Sequence, residues 1–431
     1  MTKLSEQAVR PLRTLDPDGP LDDLAWLDEV VGDARVVAIG EGSHYLAENL
    51  MLRHRLTRYL VERHGFSAYA METGFTESWL VHDWIRTGEG DLSQVMANGV
   101  TSLMGLWPQL RAHLEWMRGH ERPLGFYGAD LGGSVVSLLP SLDAVTAYLA
   151  KADPGFTPDP KIRETADVFA IPSAFSIPEG IAAYGKLAQE SRDALTAGLA
   201  ELQARVTGRR LDYIRATTVE DYERALRSLR EAVTIDLVVR QLVRGERHGV
   251  LTVRDTTVAE TVEWLLGREE RIVLGEHNGH IQRASGVLPG SPPGTPPATP
   301  LGLRLADRLG EDYVVIGVTL GSGQTLTERP EFYQGEIFMD LEPPEPDSLD
   351  GLMAASHDGP FGVDLRRLPP EDAAKVRAAT RQRLMGTHYL DVDALSAYDV
   401  LVHLPHVRGA DPDPDVVARS HPDVRQRFPA R

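Results

Sequence analysis

Residues 35–44 read RVVAIGEGSH, a short run of mainly β-branched and small residues that stops at a glutamate and a histidine. Similar apolar runs occur at residues 66–72 (FSAYAME), 123–130 (PLGFYGAD), 271–277 (RIVLGEH), 313–318 (YVVIGV) and 400–404 (VLVHL). Runs of this kind, alternating with helical stretches, are typical of parallel strands that helices cover on both faces. The sequence therefore predicts an α/β fold with a mostly parallel sheet core flanked by helices.

Helical spacing fills the segments between these runs. It relates Leu46, Leu50, Arg53, Thr57 and Leu60 in one segment, and Leu110, Leu114 and Met117 in another. Residues 140–247 contain no convincing strand, and the tract from 195 to 243 has the pattern of amphipathic helices. We predict a single domain over residues 1–431, with residues 140–247 as an inserted helical subdomain.

Three other segments are predicted to lack regular structure. Residues 286–300 are rich in proline and glycine, which predicts a mobile surface loop. Residues 341–348 and the segment from 409 onward are expected to be loop or tail.

Composition excludes several classes of function. The 431 residues carry a formal net charge of −18, which argues against nucleic acid and anionic membranes as partners. The absence of cysteine rules out disulfides, thiolate nucleophiles and zinc–thiolate sites. No apolar run approaches the roughly 20 residues of a membrane-spanning helix, and residues 1–13 are too polar for a secretory signal. We expect a cytoplasmic protein with a small-molecule substrate.

Polar residues follow four of the predicted strands where each strand ends. They are Glu41, His44, Glu72, Asp130, His277 and His280. Active sites of open parallel α/β sheets gather beyond the carboxyl ends of the strands. One polar residue after a strand means little, but carboxylates and histidines after four strands predict a shared site.

His44 is the strongest candidate for a catalytic base, because imidazole titrates near neutrality. Glu41 could hold one ring nitrogen and make the other a better base. Arg53 lies on an otherwise apolar helical stripe, so its charge needs an anionic partner, Glu41 or Glu72. The alternatives are a His44 that merely sits in a first helical turn and an Arg53 that forms a structural ion pair or reaches solvent.

Two further patterns leave alternatives open. Glu72 could instead cap the segment that begins near Thr73. His277 and His280 are three residues apart and, with the carboxylates, could equally form a hard-metal site. Gly40 and Gly42 lack the third glycine of a dinucleotide loop, and neither a phosphate-binding loop nor a Gly-x-Ser-x-Gly elbow occurs. We therefore predict no cofactor and no conventional serine nucleophile.

Taken in order, these residues resemble those of the erythromycin esterase family. The resemblance rests on residues 39–44 (IGEGSH) with Glu48 and Arg53, 60–66 (LVERHGF), 70–72 (AME), 126–130 (FYGAD), Arg254-Asp255 with Glu260 and Trp264, 277–280 (HNGH), Gly302 with Leu305, 313–317 (YVVIG) and 403–405 (HLP). These segments span most of the chain. Tyr45 departs from the family pattern, in which a glycine often follows the motif histidine.

The resemblance implies a fold, an activity and a set of site residues. It implies a sheet core with an inserted helical region, and esterase members open the macrolide lactone of erythromycin-type antibiotics without a required metal. The implied catalytic residues are His44, Glu41, Arg53, Glu72, His277 and His280. We expect substrate contacts from Tyr45, Trp107, Asp130, Arg254 and Glu276.

The resulting hypothesis is hydrolysis of an ester or lactone by a water that His44 activates. Arg53, His277 or His280 would stabilise the oxyanion, and Glu72 would hold Arg53 or a histidine. A biosynthetic enzyme could use the same residues for elimination, dehydration or cyclisation of a natural product. A third reading is a metal- or haem-binding protein that uses the histidine and glutamate cluster.

Overall fold

The computed structural model describes residues 2–287, 294–385 and 387–428. The strands are β1 (Arg10–Pro11), β2 (Val36–Ile39), β3 (Ala68–Gly74), β4 (Gly125–Asp130), β5 (Ile272–Gly275), β6 (Tyr313–Leu326), β7 (Phe338–Leu341), β8 (Phe361–Asp364), β9 (Arg381–Met385), β10 (His388–Asp391) and β11 (Val400–Val407). Of the predicted mobile loop at 286–300, residues 288–293 lie outside the described residues, and Gly286 forms a bridge with Ala298.

The α-helices connect these strands and cover the sheet. They are α1 (Asp28–Val31), α2 (Ala47–His64), α3 (Phe75–Thr87), α4 (Leu92–Gly99), α5 (Pro108–Gly119), α6 (Leu139–Ala152), α7 (Pro160–Val168), α8 (Ile177–Lys186), α9 (Gln189–Gly208), α10 (Arg210–Ala216), α11 (Val219–Arg244), α12 (Arg247–Leu265), α13 (Asn278–Ile281), α14 (Leu301–Leu309), α15 (Leu349–Ala354), α16 (Pro370–Ala378), α17 (Ala394–Ala397), α18 (Pro414–Arg419) and α19 (Pro422–Arg427). None of the described helices is long and apolar enough to cross a membrane.

The six strands predicted from the sequence form the parallel centre of the main sheet. Their spatial order is β11-β6-β2-β5-β3-β4, and every neighbouring pair in this series is parallel. On the outer side β8 pairs antiparallel with β11 and β1 with β8, while β7 pairs antiparallel with the end of β6. The predicted α/β class with a mostly parallel sheet is confirmed, and the short antiparallel strands are additions that the sequence did not reveal.

Burial on both faces explains why the central strands read as continuous apolar runs. In β2, Val37 and Ile39 face a core that includes Leu56 of α2, whereas Val36 and Ala38 face a second core on the other side. Successive side chains of a strand point to opposite faces, so a strand covered twice needs an apolar residue at every position. The absence of alternation in residues 36–39 therefore identifies a central strand.

Helices occupy the long connection between β4 and β5. Helices α6 to α11 extend from residue 139 to 244 and build a third apolar core of their own around Leu199, Leu229 and Ile235. Helix α12 continues past residue 247 and returns to the sheet, where Val258 and Val262 pack in the same core as Ala129 of β4. The division of the chain into one domain with an inserted subdomain at 140–247 stays a prediction.

The expectation of an irregular tail from residue 409 is wrong. Two short helices, α18 and α19, lie there, each with a proline in its first turn and a side chain that caps its N-terminus. Val416 and Val417 of α18 are buried, and Asp413 forms a 2.6 Å ion pair with Arg111 of α5. Six-residue helices show too little periodicity to stand out in a sequence, and here the tertiary contacts stabilise them.

Asn278 completes the hydrogen bonding of β6 where its neighbour β2 has ended. Its side-chain amide donates to the carbonyl of Val318 at 2.6 Å and accepts from the amide of Val318 at 3.0 Å. Pairing between β2 and β6 stops at Ile39, so Val318 has no strand partner on that side. Asn278 is fully buried and thus replaces one residue of the missing strand.

Replacing Asn278 with alanine is expected to destabilise the protein by about 2–4 kcal/mol, because a buried donor and a buried acceptor of Val318 lose their partners. The free energy of unfolding is measured by urea denaturation. The matched control is Asn98→Ala, at an exposed position of α4, where little change is expected. An equal stability of the two variants would contradict the role given to Asn278.

Candidate active site

The catalytic candidates converge at the carboxyl edge of four adjacent strands, in the order β2-β5-β3-β4. Glu41 and His44 lie in the loop after β2, and Glu72 lies near the end of β3. Asp130 is the last residue of β4, and His277 follows β5. Helix α12 returns across this edge and adds Arg254. Strand order thus brings together residues that are up to 236 positions apart.

His44 is held by a buried carboxylate and is itself partly open to solvent. Its Nδ1 lies 2.6 Å from Oε1 of Glu41, whose other oxygen lies 3.4 Å from Nη2 of Arg53. The side chains of Glu41 and Arg53 are buried, whereas that of His44 is 25% exposed. In this arrangement Nδ1–H of His44 donates to Glu41, and Nε2 of His44 is the accessible nitrogen.

Glu72 is the centre of a second set of contacts. Its Oε1 accepts a hydrogen bond from Nη2 of Arg254 at 3.0 Å, and its Oε2 accepts from the backbone amide of His277 at 2.8 Å. Arg254 also makes two hydrogen bonds to Asp130, one of them from Nε at 2.8 Å. The paired geometry fixes the guanidinium plane. Glu72 therefore contacts Arg254 and not Arg53, which corrects one of the two partners expected for Arg53.

The two later histidines have opposite hydrogen-bonding environments. Nδ1 of His277 accepts from the amide of Gly279 at 3.1 Å, so its proton is on Nε2. Nδ1 of His280 lies 2.8 Å from Oδ1 of Asp255, and its Nε2 lies 3.6 Å from Oε1 of Glu72. The ring of His277 meets that of His44 edge-on, with centroids 5.3 Å apart.

These environments separate the pKa values of the three histidines. Burial by itself lowers the pKa of His44, but the carboxylates of Glu72 and Glu41 outweigh it and raise that pKa above its usual value. For His280 the carboxylate of Asp255 likewise overcomes burial and raises the pKa. For His277 burial dominates, helped by the nearby His44, and lowers the pKa to about 4. His277 is consequently neutral at pH 7, whereas His280 favours its protonated form more than an ordinary histidine does.

The carboxylates divide in the same way. Burial opposes the ionisation of both Glu41 and Glu72. Arg53 and His44 nevertheless lower the pKa of Glu41. His44, His280 and Arg254 lower the pKa of Glu72. Burial and the neighbouring carboxylates raise the pKa of Glu276 well above its usual value. The environment of Glu276 therefore favours its neutral form, whereas that of Glu41 and Glu72 favours the ionised form.

Several predicted site residues lie behind the surface that a ligand could reach. Arg53 is 2% exposed, and its Nη2 donates to the carbonyl of Glu276. Trp107 is 0% and Glu276 1% exposed, which does not fit the prediction that they touch substrate. Arg53 cannot meet an oxyanion from this position, so the structure corrects that expected role. Arg53, Trp107 and Glu276 therefore pack on the buried side of the cluster.

Tyr45 turns the chain directly after His44. Its φ of 62° lies in the left-handed region, where glycine is favoured and other residues are strained. The phenol donates to the carbonyl of Ser102 at 2.6 Å, and the ring lies 5.2 Å from that of Trp107. Because Tyr45 is also only 4% exposed, it is part of the wall that fixes the loop of His44.

Asp255 is a buried part of the cluster that sequence reasoning did not include among the site residues. It accepts from His280 and also from the backbone amide of Leu301 at 2.8 Å. Its only sequence signal was its place in the Arg254-Asp255 pair of the family resemblance, because its complete burial is not visible in a single sequence. Asp255 orients His280 as Glu41 orients His44.

One set of side chains in the cluster also has the spacing of metal ligands. Ligand atoms of Glu41, His44 and Glu72 all lie within 4.8 Å of one another. Two carboxylates and an imidazole suit several divalent ions. Both glutamates already face arginine, Glu41 facing Arg53 and Glu72 facing Arg254, which reduces the negative charge available to a cation.

Comparisons with known proteins identify the family of this chain. Residues 61–407 match the family described as erythromycin esterase. Erythromycin esterase type II of Escherichia coli is 28% identical over 74% of this chain and 77% of its own, and type I is 26% identical over 64% and 69%. A mutant of the erythromycin esterase EreC in its open conformation has a similar fold, with a TM-score of 0.77, 20% identity and coverage of 94% of this chain and 98% of that one.

The family match covers more than half of the chain, including Glu72, Asp130, Arg254, His277 and His280, and supports an esterase-type hydrolase. It begins after Glu41, His44 and Arg53, whose place in the site rests on their contacts with the matched residues. The resemblance first drawn from short motifs is therefore confirmed: the chain belongs to the erythromycin esterase family.

Proposed function

We propose that the chain hydrolyses an ester or lactone of a macrolide-like small molecule, with His44 as the general base. The observation that carries this proposal is that one ring nitrogen of His44 is held by a carboxylate while the other is accessible. Glu41 fixes its Nδ1, while its Nε2 lies at the accessible edge of the cluster, 4.0 Å from Oε1 of Glu72. That separation is too long for a direct hydrogen bond and leaves room for a bridging water.

In the proposed reaction the water attacks the carbonyl carbon while Nε2 of His44 takes its proton. Negative charge then develops on the carbonyl oxygen, and the Nε2–H of neutral His277 beside His44 can stabilise it. One preorganised donor of this kind contributes roughly 3 kcal/mol. Collapse of the tetrahedral intermediate breaks the bond to the alcohol oxygen, which receives the proton from His44. No covalent enzyme intermediate is required.

The other charged groups have positioning roles in this proposal. Arg53 holds Glu41, and Asp130 holds Arg254, which in turn fixes Glu72. Arg254 has a side chain that is 21% exposed, so it can also contact substrate. The names of the two relatives, which are esterases of erythromycin, favour a macrolide among possible substrates.

Purified protein is expected to add one water to a 14-membered macrolide, a mass change that liquid chromatography with mass spectrometry detects. His44→Ala is expected to lower the rate roughly 10²- to 10⁴-fold, the usual contribution of a general base. The matched control is His120→Ala, a partly exposed histidine before β4 at the opposite edge of the sheet. Its rate is expected to equal that of the wild type.

Different mass balances would contradict different parts of the proposal. Loss of one water, or an isomeric product, would favour elimination, dehydration or cyclisation by the same residues. Turnover that survives in a folded His44→Ala protein would remove His44 as the base. If the protein hydrolyses a simple lactone but leaves the macrolide intact, only the choice of a macrolide as the substrate is contradicted.

The acid limb of kcat/KM is expected above the ordinary pKa of histidine, about 6.5. A base must be deprotonated to act, and the carboxylates of Glu72 and Glu41 outweigh burial to raise the pKa of His44. Activity is therefore gained as the pH rises through this raised pKa. In Glu72→Gln the limb is expected to move to lower pH, because the largest attraction on the imidazolium is gone.

The pH profile is measured with the wild type, Glu72→Gln and the control Glu62→Gln, whose side chain is 39% exposed on α2. Glu62→Gln is expected to retain the wild-type limb. An unmoved limb in Glu72→Gln, with activity still measurable, would show that His44 does not carry the essential ionisation.

A metal-dependent reaction is the second candidate, because Glu41, His44 and Glu72 meet the spacing of a metal site. Since arginine already faces both glutamates, we expect less than stoichiometric metal by elemental analysis and unchanged hydrolysis after dialysis against a chelator. One metal ion per chain, with activity lost on chelation and restored by that ion, would favour the metal reading.

A further inference from the structure

A groove of about 690 Å³ lies on the helical layer, between α9, α11 and α12. Its lining includes Gln203 of α9, Arg227 and Arg230 of α11, and Thr257 of α12. No residue of the catalytic cluster lines it, although α12 contributes to both places. Thr261, which contacts Arg227, is seven residues after Arg254, about 10 Å along the helix.

Arg227 is a buried cation without an anionic partner in the structure. It is 7% exposed, and its one hydrogen bond runs from Nη1 to the hydroxyl of Thr261 at 3.1 Å. Its Nε is buried without a partner, and Cζ lies 5.5 Å from the ring centroid of Trp264. No carboxylate of the described residues comes within ion-pair distance of its guanidinium.

Other buried arginines of the chain have the partners that Arg227 lacks. Arg53 and Arg55 are as deeply buried, and they face Glu41 and Asp23 respectively. Arg383, also buried, donates to the carbonyls of two residues and to a phenol. An unpaired buried charge is costly, and contact with an aromatic ring at this distance offsets only part of that cost. Burial, and then Arg230, lower the pKa of Arg227 to about 10.

Arg230 adds a second positive charge to the groove. It lies one helical turn after Arg227 on the same face of α11, is exposed, and has no ion pair among the described residues. Thr234 and Thr257 also line the groove, and their hydroxyls, 3.1 Å apart, already donate to the backbone carbonyls of Arg230 and Val253. Two unpaired guanidinium groups therefore meet in a protein whose net charge is −18.

The two glutamates that line the groove form no ion pair with these arginines, although Glu260 lies close enough to oppose the lowering of the pKa of Arg227. Glu263 also lines it but forms a 3.1 Å ion pair with Arg308 of α14. Glu260 lines the groove as an exposed residue and lies beyond ion-pair distance of Arg227 and Arg230. Both arginines belong to α11, so the positive charge of the groove lies on that side, with the unpartnered Nε–H of Arg227.

We propose that this groove is a binding site for the carboxylate or phosphate group of a small molecule, separate from the catalytic cluster. The guanidinium of Arg227 has the planar donor geometry that such groups accept in pairs, and Arg230 supplies the second charge. The side-chain amide of Gln203 can donate to a remaining oxygen. The bound anion gives Arg227 the partner that the protein itself does not provide.

The test is isothermal titration of the full chain with inorganic phosphate and, separately, with citrate, at constant ionic strength set with sodium chloride. Saturable binding of at least one probe is expected, and the probe that binds identifies the group. Arg227→Met is expected to weaken binding tenfold or more, because a charge-assisted hydrogen-bond partner is lost. Arg230→Gln is expected to weaken it several-fold.

Arg163→Gln is the charge-matched control, at a half-exposed position of α7 that does not line the groove, and it is expected to bind as the wild type. Arg230 is exposed, so Arg230→Gln provides the decisive variant if Arg227→Met does not fold. Absence of saturable binding of either probe to the wild type would overturn the proposal. Equal binding by the wild type and the folded groove variants would overturn it as well.

Discussion

Buried charges that neutralise one another at the ends of four parallel strands are the constraint on which the site depends. Glu41 and Glu72 are removed from water, and their pKa values fall only because arginine and histidine face them. Glu276 shows the opposite case in the same place: burial, together with the nearby Glu72 and Asp130, raises its pKa well above the usual value. Loss of one cation would leave a buried anion unpaired, which proteins tolerate poorly.

This constraint connects His44, the proposed base, to the rest of the molecule. Arg53 reaches Glu41 from the second turn of α2, and Arg254 reaches Glu72 and Asp130 from α12, the helix that returns from the long helical connection. The sheet core and the helical layer thus both contribute to the electrostatics of His44. A change in the position of α12 would alter the pKa of the base through Arg254 and Glu72 without touching His44.

Several residues that the motifs singled out hold other side chains in place and are too deeply buried to contact a substrate. Arg53, Trp107 and Glu276 are buried, whereas His44 and Arg254 form the accessible edge of the cluster. The family match covers the strand-end residues from Glu72 onward, and the EreC structure has the same overall fold.

The sequence by itself determined the parallel sheet and the strand ends at which the site lies. Residues such as Val36 to Ile39 are apolar at every position because both faces are covered, and this signal is local. The positions of the strand ends also predicted a common edge of the sheet for five residues, because parallel strands end on the same side. They are Glu41, His44, Glu72, Asp130 and His277.

Only the tertiary structure decided which charges pair. Helix periodicity showed that Arg53 needed an anionic partner. The choice of Glu41 for Arg53, and of Glu72 with Asp130 for Arg254, depends on strand order and on the path of α12. Asp255, the left-handed turn at Tyr45, the helices α18 and α19 and the unpaired Arg227 were equally invisible. Each of these depends on burial or on contacts between distant segments, and no local pattern of residues encodes them.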